Sequence, residues 1–199
     1  MADAFFICFK ECALLTIAED GTVSYDTPVP IFGAVSIGLD ANGESSNFYA
    51  DGYAYYTISN NMGYEGGLEI AMVPESFRVD VLKESLDANK VLVENVNVET
   101  ANFTLMFEFD GDVKKIRHCL YKCAVSRPSI ESQTNEDEIE VQTGTLSLKA
   151  TPLENGVVKS KTSDDTSDAT YQNWYKAVYM PTTESETKVA VASTSISGK

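Results

Sequence analysis

The chain has 199 residues, of which 43% are apolar, and its 30 acidic and 15 basic side chains give a formal net charge of −15. The apolar share is too large for a disordered acidic chain, and no apolar run approaches the roughly 20 residues that span a bilayer. A general nucleic-acid-binding protein needs a basic surface to displace counterions from phosphates, so the acidity argues against that class. The apolar stretch near the N-terminus is short and has no basic residue before it, so we expect cytoplasmic synthesis and reduced cysteines.

Apolar and polar residues alternate along much of the chain, which is typical of β-strands with one buried face. Clusters of Gly, Asp, Asn and Pro separate the alternating segments and predict turns. In chain order, the pattern predicts strands over Phe5–Ile17, Ile31–Leu39, Ser46–Ala50, Tyr64–Val73, Val91–Val96, Asn102–Asp110, Ile116–Arg127, Ile139–Ala150 and Val157–Lys161. Many short strands between turn signals predict a mainly β fold with two helices, an antiparallel β-sandwich or barrel.

The clearest local prediction is a long β-hairpin with its turn at Asp110-Gly111-Asp112. Period-two spacing predicts one buried face on its first strand, made by Phe103, Leu105, Phe107 and Phe109, with Glu108 on the polar face. On the return strand, the same spacing places Cys119, Tyr121, Cys123 and Val125 on one face.

The strand over Tyr64–Val73 shows the same alternation. Its apolar side chains Leu68, Ile70 and Met72 are expected to face inward, while Glu65 and Glu69 face outward.

Two segments depart from the alternation and predict helices. Pro74–Leu82 begins with a proline and early acidic residues, which favour a helix start. The second helix is expected over Ala169–Met180, with Asp168 as its N-cap and Pro181 as its end. Its apolar stripe at helical spacing consists of Tyr171, Trp174, Tyr175, Val178 and Tyr179.

Two segments lack either pattern. Glu131–Glu140 carries five acidic residues and no basic one, and is expected to be a solvated loop. Residues 182–199 are rich in Ser and Thr without aromatic residues, and predict a flexible C-terminal tail or an arm that orders on contact. The chain therefore divides into one domain over residues 1–181 and a tail over 182–199.

Residues for catalysis or metal binding do not form a recognisable set. His118 is the only histidine, and its mid-strand position favours a packed structural role over one in a catalytic triad. The four cysteines are spaced as two i, i+4 pairs, which on a strand are about 13 Å apart, too far to share one zinc ion. Zinc would need cross-strand pairing, for example Cys8 opposite Cys123, whereas small buried thiols are the simpler interpretation. We expect no enzyme activity, no cofactor and no metal.

The ten tyrosines include a cluster at Tyr49, Tyr53, Tyr55 and Tyr56, between turn residues on both sides. An apolar ring with a polar tip suits an interface, so the cluster predicts a contact surface. Packing of these rings on their own domain is an equal alternative.

Several short stretches, taken in order, form a recognisable pattern. They are Phe32–Asp40, Asn47–Gly52, Gly67–Ala71, Pro74–Leu82, Phe107–Asp112, Arg117-His118, Leu120-Tyr121 and Trp174-Tyr175. Together they resemble the major tail protein, or tail-tube protein, of long-tailed (siphovirus) phages and prophages of Gram-positive bacteria. The resemblance covers about Phe5 to Pro181.

The resemblance implies a β-sandwich or barrel of the tail-tube type, flanked by a helix. Six copies would form a ring, and rings would stack on the tape measure protein between a tail terminator and the distal tail or baseplate protein. The stacked rings would form the conduit for genome ejection in the virion tail, assembled in the bacterial host cytoplasm without a membrane. The family has no catalytic residues.

A tube that bound double-stranded DNA would trap it, so an acidic lumen suits passage without specific binding. Glu65, Glu69 and Glu108 are the candidates for the lumen wall. The segment Asp40–Met62 is the candidate for ring-to-ring contact, with the aromatic residues Phe48, Tyr49, Tyr53, Tyr55 and Tyr56.

Three alternatives remain open from the sequence. The first is the tube protein of a related contractile injection device. The second is a carbohydrate-binding β-sandwich module, against which the single Trp argues. The third is an acid–base hydrolase that uses two carboxylates, for which no pair stands out.

Overall fold

The structure is a computed structural model that describes residues 6–18, 22–50, 53–110, 114–129 and 143–182. Within those ranges the chain forms thirteen strands and two short helices. In chain order these are β1 (Phe6–Ile17), β2 (Val23–Tyr25), β3 (Val29–Pro30), β4 (Ala34–Asn42), β5 (Ser45–Ala50), β6 (Tyr53–Ser59), β7 (Gly63–Ile70), α1 (Glu75–Asp80), β8 (Ser85–Leu86), β9 (Leu92–Val93), β10 (Phe103–Asp110), β11 (Arg117–Val125), β12 (Gly144–Ala150), β13 (Lys159–Lys161) and α2 (Asp168–Asn173).

Nine of these strands form one antiparallel sheet in the order β2-β1-β10-β11-β12-β7-β4, with β3 beside β1 and β13 beside β11. The sheet curves until β4 comes close to β1. No backbone pairing between described residues joins these two strands, so the sheet stays open. The predicted mainly β, antiparallel fold with two helices is therefore confirmed, as an open sandwich-like sheet rather than a closed barrel.

The larger core lies on the inner side of the curved sheet. The neighbouring strands β10, β11, β12 and β7 contribute buried aliphatic side chains to it, and α1 covers one end. The ring of Phe77 on α1 meets the ring of Phe103 edge to face, with centroids 5.4 Å apart. This T-shaped contact is a favourable geometry for aromatic pairs and fixes the helix against β10.

A second core lies on the outer side of β1, β10 and β11. Here Met106, Cys119 and Tyr121 pack against Leu153 and Trp174. Strand β10 is consequently buried on both faces, from Phe103 through Glu108. The prediction of one buried face was wrong, because the chain after β12 returns across the face that was expected to be polar.

A β-bulge changes the predicted facing of β11. Phe103 pairs with Cys123 and Leu105 with Leu120, so Tyr121 and Lys122 together oppose Thr104. Cys123 and Val125 therefore face the inner core, while Cys119 and Tyr121 face the outer one. The four residues do not share a face, contrary to the prediction.

The helices are shorter than the sequence predicted. The first has Pro74 as its N-cap and covers Glu75–Asp80. The second has Ser167 rather than Asp168 as its N-cap, since the Ser167 hydroxyl accepts a hydrogen bond from the Thr170 amide. After Asn173 the chain continues as tight turns, and the helix does not extend to Met180. In these turns the main-chain amide of Lys176 donates to the Asn173 carbonyl.

Strand β7 ends at Ile70, and Met72 is 77% exposed rather than buried. No helix among the described residues has the length and apolar character needed to cross a membrane.

Candidate assembly surfaces

A polar surface covers the outer side of β4, β7 and β12. The strand registers place nine residues in three rows on this side. The rows are Ser36, Glu69 and Thr145; Gly38, Gly67 and Ser147; and Asp40, Glu65 and Lys149. We call these nine residues the polar face. Three carboxylates and one ammonium group give it a formal charge of −2, and none of its side chains is apolar or aromatic.

The two carboxylates of β7 are held in place on this face. Glu69 accepts hydrogen bonds from the hydroxyls of Thr143 (2.5 Å) and Ser36 (2.8 Å). Both bonds favour the charged form, which lowers the pKa of Glu69. Glu65 accepts a 2.9 Å hydrogen bond from the Asn42 amide and lies 3.7 Å from the Lys149 ammonium. Glu65 and Glu69 thus remain solvent-accessible and about 13 Å apart along one strand.

Asp40 is a third carboxylate of this surface that the sequence argument did not single out for the lumen. It pairs with Glu65 in the β4–β7 register and is exposed. The signal that could have identified it is the alternation with Ile37 and Leu39, which pack against the core, but the register between β4 and β7 cannot be read from either strand alone.

Glu108 does not belong to the polar face. It is 3% exposed, on the outer side of β10, under the segment that follows α2. Its carboxylate lies 3.3 Å from Arg117 Nε and 3.7 Å from Lys115 Nζ, and accepts a 3.1 Å hydrogen bond from the Tyr175 hydroxyl. Glu108 therefore does not face solvent on a polar strand face, contrary to the expectation. Its carboxylate instead holds the segment that follows α2 against the sheet.

Arg117 completes this anchor, a role that sequence reasoning missed. Its guanidinium lies over the rings of Tyr171 (3.7 Å) and Tyr175 (4.6 Å), and it also donates to the Tyr171 carbonyl. Burial, and then the Glu108 carboxylate, raise the pKa of Tyr175. The Tyr175 hydroxyl thus stays protonated and donates to Glu108. Of the stripe that predicted a long helix, Tyr171 lies in α2, whereas Tyr175 follows the helix and contacts Glu108 and Arg117 of the sheet.

Strands β5 and β6 extend the sheet into a projection. The ladder between β4 and β7 reaches Asn42 and Gly63. The Met62 amide then donates to the Asn42 carbonyl (2.8 Å) and the Asn60 amide to the Glu44 carbonyl (2.9 Å), and pairing resumes at Ser45 and Ser59. β4–β5 and β6–β7 therefore form one two-stranded antiparallel ribbon, about 50 Å long at the usual rise per residue. We call it the ribbon.

The predicted ring-contact residues all lie on the outer half of the ribbon. Phe48 is opposite Tyr56 and Tyr49 is opposite Ala54 in the backbone register, and Tyr55 lies between them on β6. The side chains of these residues lie outside the described set. Tyr53, at the tip, is 79% exposed.

The other end of the ribbon also exposes apolar side chains. Phe32 and Met72 are 76% and 77% exposed, and Val35, which lies at a register shift of β4, is 47% exposed. Hydrogen bonding of the Ala71 amide to the Gly33 carbonyl holds the two chain segments together here. Large exposed apolar side chains that cluster in this way are typical of interaction sites.

Among the described strands, β4 has a hydrogen-bonded partner, β7, on one side only. A strand of nine residues with an unpaired edge is a template for pairing with another chain.

The residues considered for chemistry occupy structural positions. His118 stacks on Phe107 with centroids 5.0 Å apart, and burial, together with Lys159 and Lys161, lowers its pKa to about 4. Cys119 and Cys123 are buried free thiols with raised pKa values, because burial disfavours the thiolate. Cys8 pairs with Glu108, and Cys123 with Phe103, on opposite sides of β10. Cys8 and Cys123 are thus about five residues, or roughly 17 Å, apart along β10, which excludes a zinc site shared by these two cysteines. The described residues hold no group of three His, Cys, Asp or Glu suited to a metal ion.

A comparison with models of known protein families finds no match, and a comparison with curated proteins finds none either. The function is therefore inferred from the geometry of these surfaces and from the resemblance seen in the sequence.

Proposed function

We propose that this protein is a tail-tube protein of a long-tailed phage or prophage, whose copies form rings that stack into a conduit for DNA. The observation that carries the proposal is the polar face, a sheet surface with accessible, fixed carboxylates at Glu65 and Glu69. It is continuous with a projecting ribbon suited to contact between copies.

The polar face has the properties that a wall for moving DNA requires. DNA carries one negative charge per about 1.7 Å of its axis, and binding to it depends on basic side chains that displace counterions. A face with a charge of −2 and no aromatic ring offers neither counterion release nor stacking to nucleic acid. Lys149, its one cation, lies next to Glu65, which reduces its attraction for phosphate.

Ring formation would use the unpaired edge of β4. Pairing of this edge with a strand of the next copy makes a head-to-tail contact, and head-to-tail contacts close into rings when the rotation allows. Six copies per ring is the number that the family resemblance implies. The polar faces of adjacent copies would then line a common channel.

Ring stacking would use the two ends of the ribbon. The tip presents Tyr53 and the opposite end presents Phe32 and Met72, so that apolar surface is available at both ends of one subunit. A contact between the tip of one copy and the base of another is also head to tail, and repeats along an axis without limit. A length-setting partner is then required, which agrees with the tape measure, terminator and distal tail proteins implied by the resemblance.

In this proposal the protein is structural rather than catalytic, and it works in the virion tail after assembly in the host cytoplasm. DNA passes through without specific binding. The net charge of −15 opposes association of free copies, so assembly should be promoted by salt, which screens repulsion between exposed charges.

Negative-stain microscopy of the purified chain over a range of salt concentrations tests the proposal. We expect rings or tubes of uniform width, and we expect their number to increase with the salt concentration. Monomers at every salt concentration and protein concentration, with a folded circular-dichroism spectrum, would overturn it.

A further inference from the structure

An apolar cavity opens at the end of the inner core that α1 does not cover. It has a volume of about 260 Å³. Its walls include Ile37 and Leu39 from β4, Tyr64 from β7 and the rings of Phe107 and Phe109 from β10. Phe103, where α1 packs, is four residues from Phe107 and six from Phe109 along the same strand, so these two cavity residues lie about 13 Å and 20 Å from it.

Polar groups enter this cavity at its rim. The imidazole of His118 stacks on Phe107 (interplanar angle 4°) and meets Phe109 edge to face, with centroids 5.1 Å apart. The ammonium group of Lys159 lies 4.1 Å from the centre of the Tyr64 ring. Lys161 is the register partner of His118 and adds a second positive charge nearby. The cavity therefore combines an apolar interior with a cationic rim.

We infer that this cavity binds a small amphipathic carboxylate, with its apolar tail among Leu39, Phe107 and Phe109 and its carboxylate beside Lys159. The cavity is below the roughly 300–1,000 Å³ of pockets for drug-sized ligands, so the tail has about six to eight carbons. Each buried CH₂ group favours binding, and a Lys that already rests on an aromatic ring needs little reordering to pair with a carboxylate.

His118 adds a hydrogen-bond donor to the site. A neutral imidazole carries one N–H group and adds no charge to an apolar surface. This ring contacts Phe107 and Phe109 and belongs to the cavity wall, and the charges of Lys159 and Lys161 act on it. This inference is independent of the proposed function, since the cavity lies within one copy.

Sodium octanoate is the probe for the test. His118 is the only histidine, so its ring carbon–proton signals in nuclear magnetic resonance report on the cavity without assignment ambiguity. We expect a saturable shift of these signals in the full chain, with one dissociation constant below about 1 mM. The uncharged analogue octanol should shift the same signals with lower affinity.

Three variants separate this site from surface adsorption. Lys159→Met keeps the aliphatic stem and should weaken octanoate binding about tenfold, which corresponds to about 1.4 kcal/mol, while octanol binding stays unchanged. Lys176→Met is the matched control, an exposed lysine that does not line the cavity, and should bind octanoate as the parent does. Leu39→Trp fills the cavity and should abolish binding of both probes.

Shifts of His118 that do not saturate, or that are the same in the parent and in Leu39→Trp, would overturn the inference. Equal loss of affinity in Lys159→Met and Lys176→Met would do so as well. If Leu39→Trp fails to fold, the comparison of the two lysine variants decides the question.

Discussion

The main-chain amide of Met62 donates a 2.8 Å hydrogen bond to the carbonyl of Asn42. This bond carries the ladder of β4 and β7 across their last register pair and into β5 and β6. The projection that presents Tyr53 is therefore an extension of the main sheet, supported by a continuous backbone ladder, rather than a separate loop.

The junction of this ribbon depends on the absence of a side chain at residue 43. A Cβ atom at Gly43 would lie 2.0 Å from the Asn60 carbonyl oxygen, a backbone atom that cannot move without disrupting the ladder. We expect Gly43→Ala to increase amide exchange at Asn60 and Met62, and to reduce the yield of tubes about tenfold, an effect of about 1.4 kcal/mol. Hydrogen exchange and microscopy measure the two effects.

Gly38→Ala is the matched control for this substitution. Gly38 also lies on β4, but a Cβ atom there meets no heavy atom within 4 Å. This variant should keep parent-like exchange at the junction. Equal effects of the two substitutions on exchange would contradict the role assigned to Gly43.

The sign of charge on the polar face should decide whether DNA passes or adheres. Glu65→Lys with Glu69→Lys changes the formal charge of the nine residues from −2 to +2. We expect tubes of this double variant to retain DNA, because two added cations allow counterion release from phosphate. Nucleic acid that co-purifies with tubes, and is protected from nuclease, measures the effect.

A control with the same change in total charge isolates the position of these residues. Glu154 and Asp164 are exposed residues that do not belong to the polar face. Tubes of Glu154→Lys with Asp164→Lys should contain no protected DNA. Equal retention by both double variants would show that net charge, and not the polar face, governs adhesion.

Glu108 should contribute strongly to stability. Glu108→Leu would leave Arg117, which is 18% exposed, without its carboxylate partner, and breaking such a buried pair costs about 3 kcal/mol. Urea unfolding measures the loss. Glu94→Leu is the control, because Glu94 also pairs with an arginine, Arg127 at 3.0 Å, but is 54% exposed, so its loss should cost under about 1 kcal/mol. A smaller loss for Glu108→Leu than for Glu94→Leu would contradict the anchoring role.

His118 predicts a decline of stability in mild acid. Burial, with Lys159 and Lys161, lowers its pKa from 6.5 to about 4 in the folded state. The unfolded chain therefore binds a proton first as the pH falls, and stability decreases from about pH 6.5 down to pH 4. Between pH 7 and pH 5 we expect a loss of about 1 kcal/mol from this group, after allowance for partial exposure of the ring. In urea unfolding over this pH range, the free energy of unfolding of the parent should fall by about 1 kcal/mol more than that of His118→Gln. If the two proteins lose stability in parallel as the pH falls, the assignment to His118 is contradicted.

The β-rich architecture could be predicted because strands such as β7 bury one periodic face. Leu68 and Ile70 are fully buried, and Glu65 and Glu69 face outward, as the alternation of β7 indicates. Strands β10 and β11 also pair antiparallel as predicted, while Gly111 and Asp112 of the predicted turn lie outside the described residues. These features depend on local spacing, which a sequence shows directly.

Features that depend on long-range contacts could not be predicted. Glu108 fits a polar strand face by spacing, but the C-terminal segment packs over it and supplies Tyr175. The spacing of apolar residues from Tyr171 to Tyr179 fits a helix, but the structure has no helix after Asn173 in this segment. Instead, the Tyr121 hydroxyl donates to the Tyr179 carbonyl, and Trp174 stacks on Tyr179. Tertiary contacts thus override helix propensity after Asn173.

The most direct test of the account is a three-dimensional reconstruction of tubes assembled from the full chain, at a resolution that traces the strands. The account predicts stacked rings with the carboxylates of Glu65 and Glu69 facing a central channel, and with Tyr53 of one ring in contact with the next. A tube with Glu65 and Glu69 on its outer surface would contradict it.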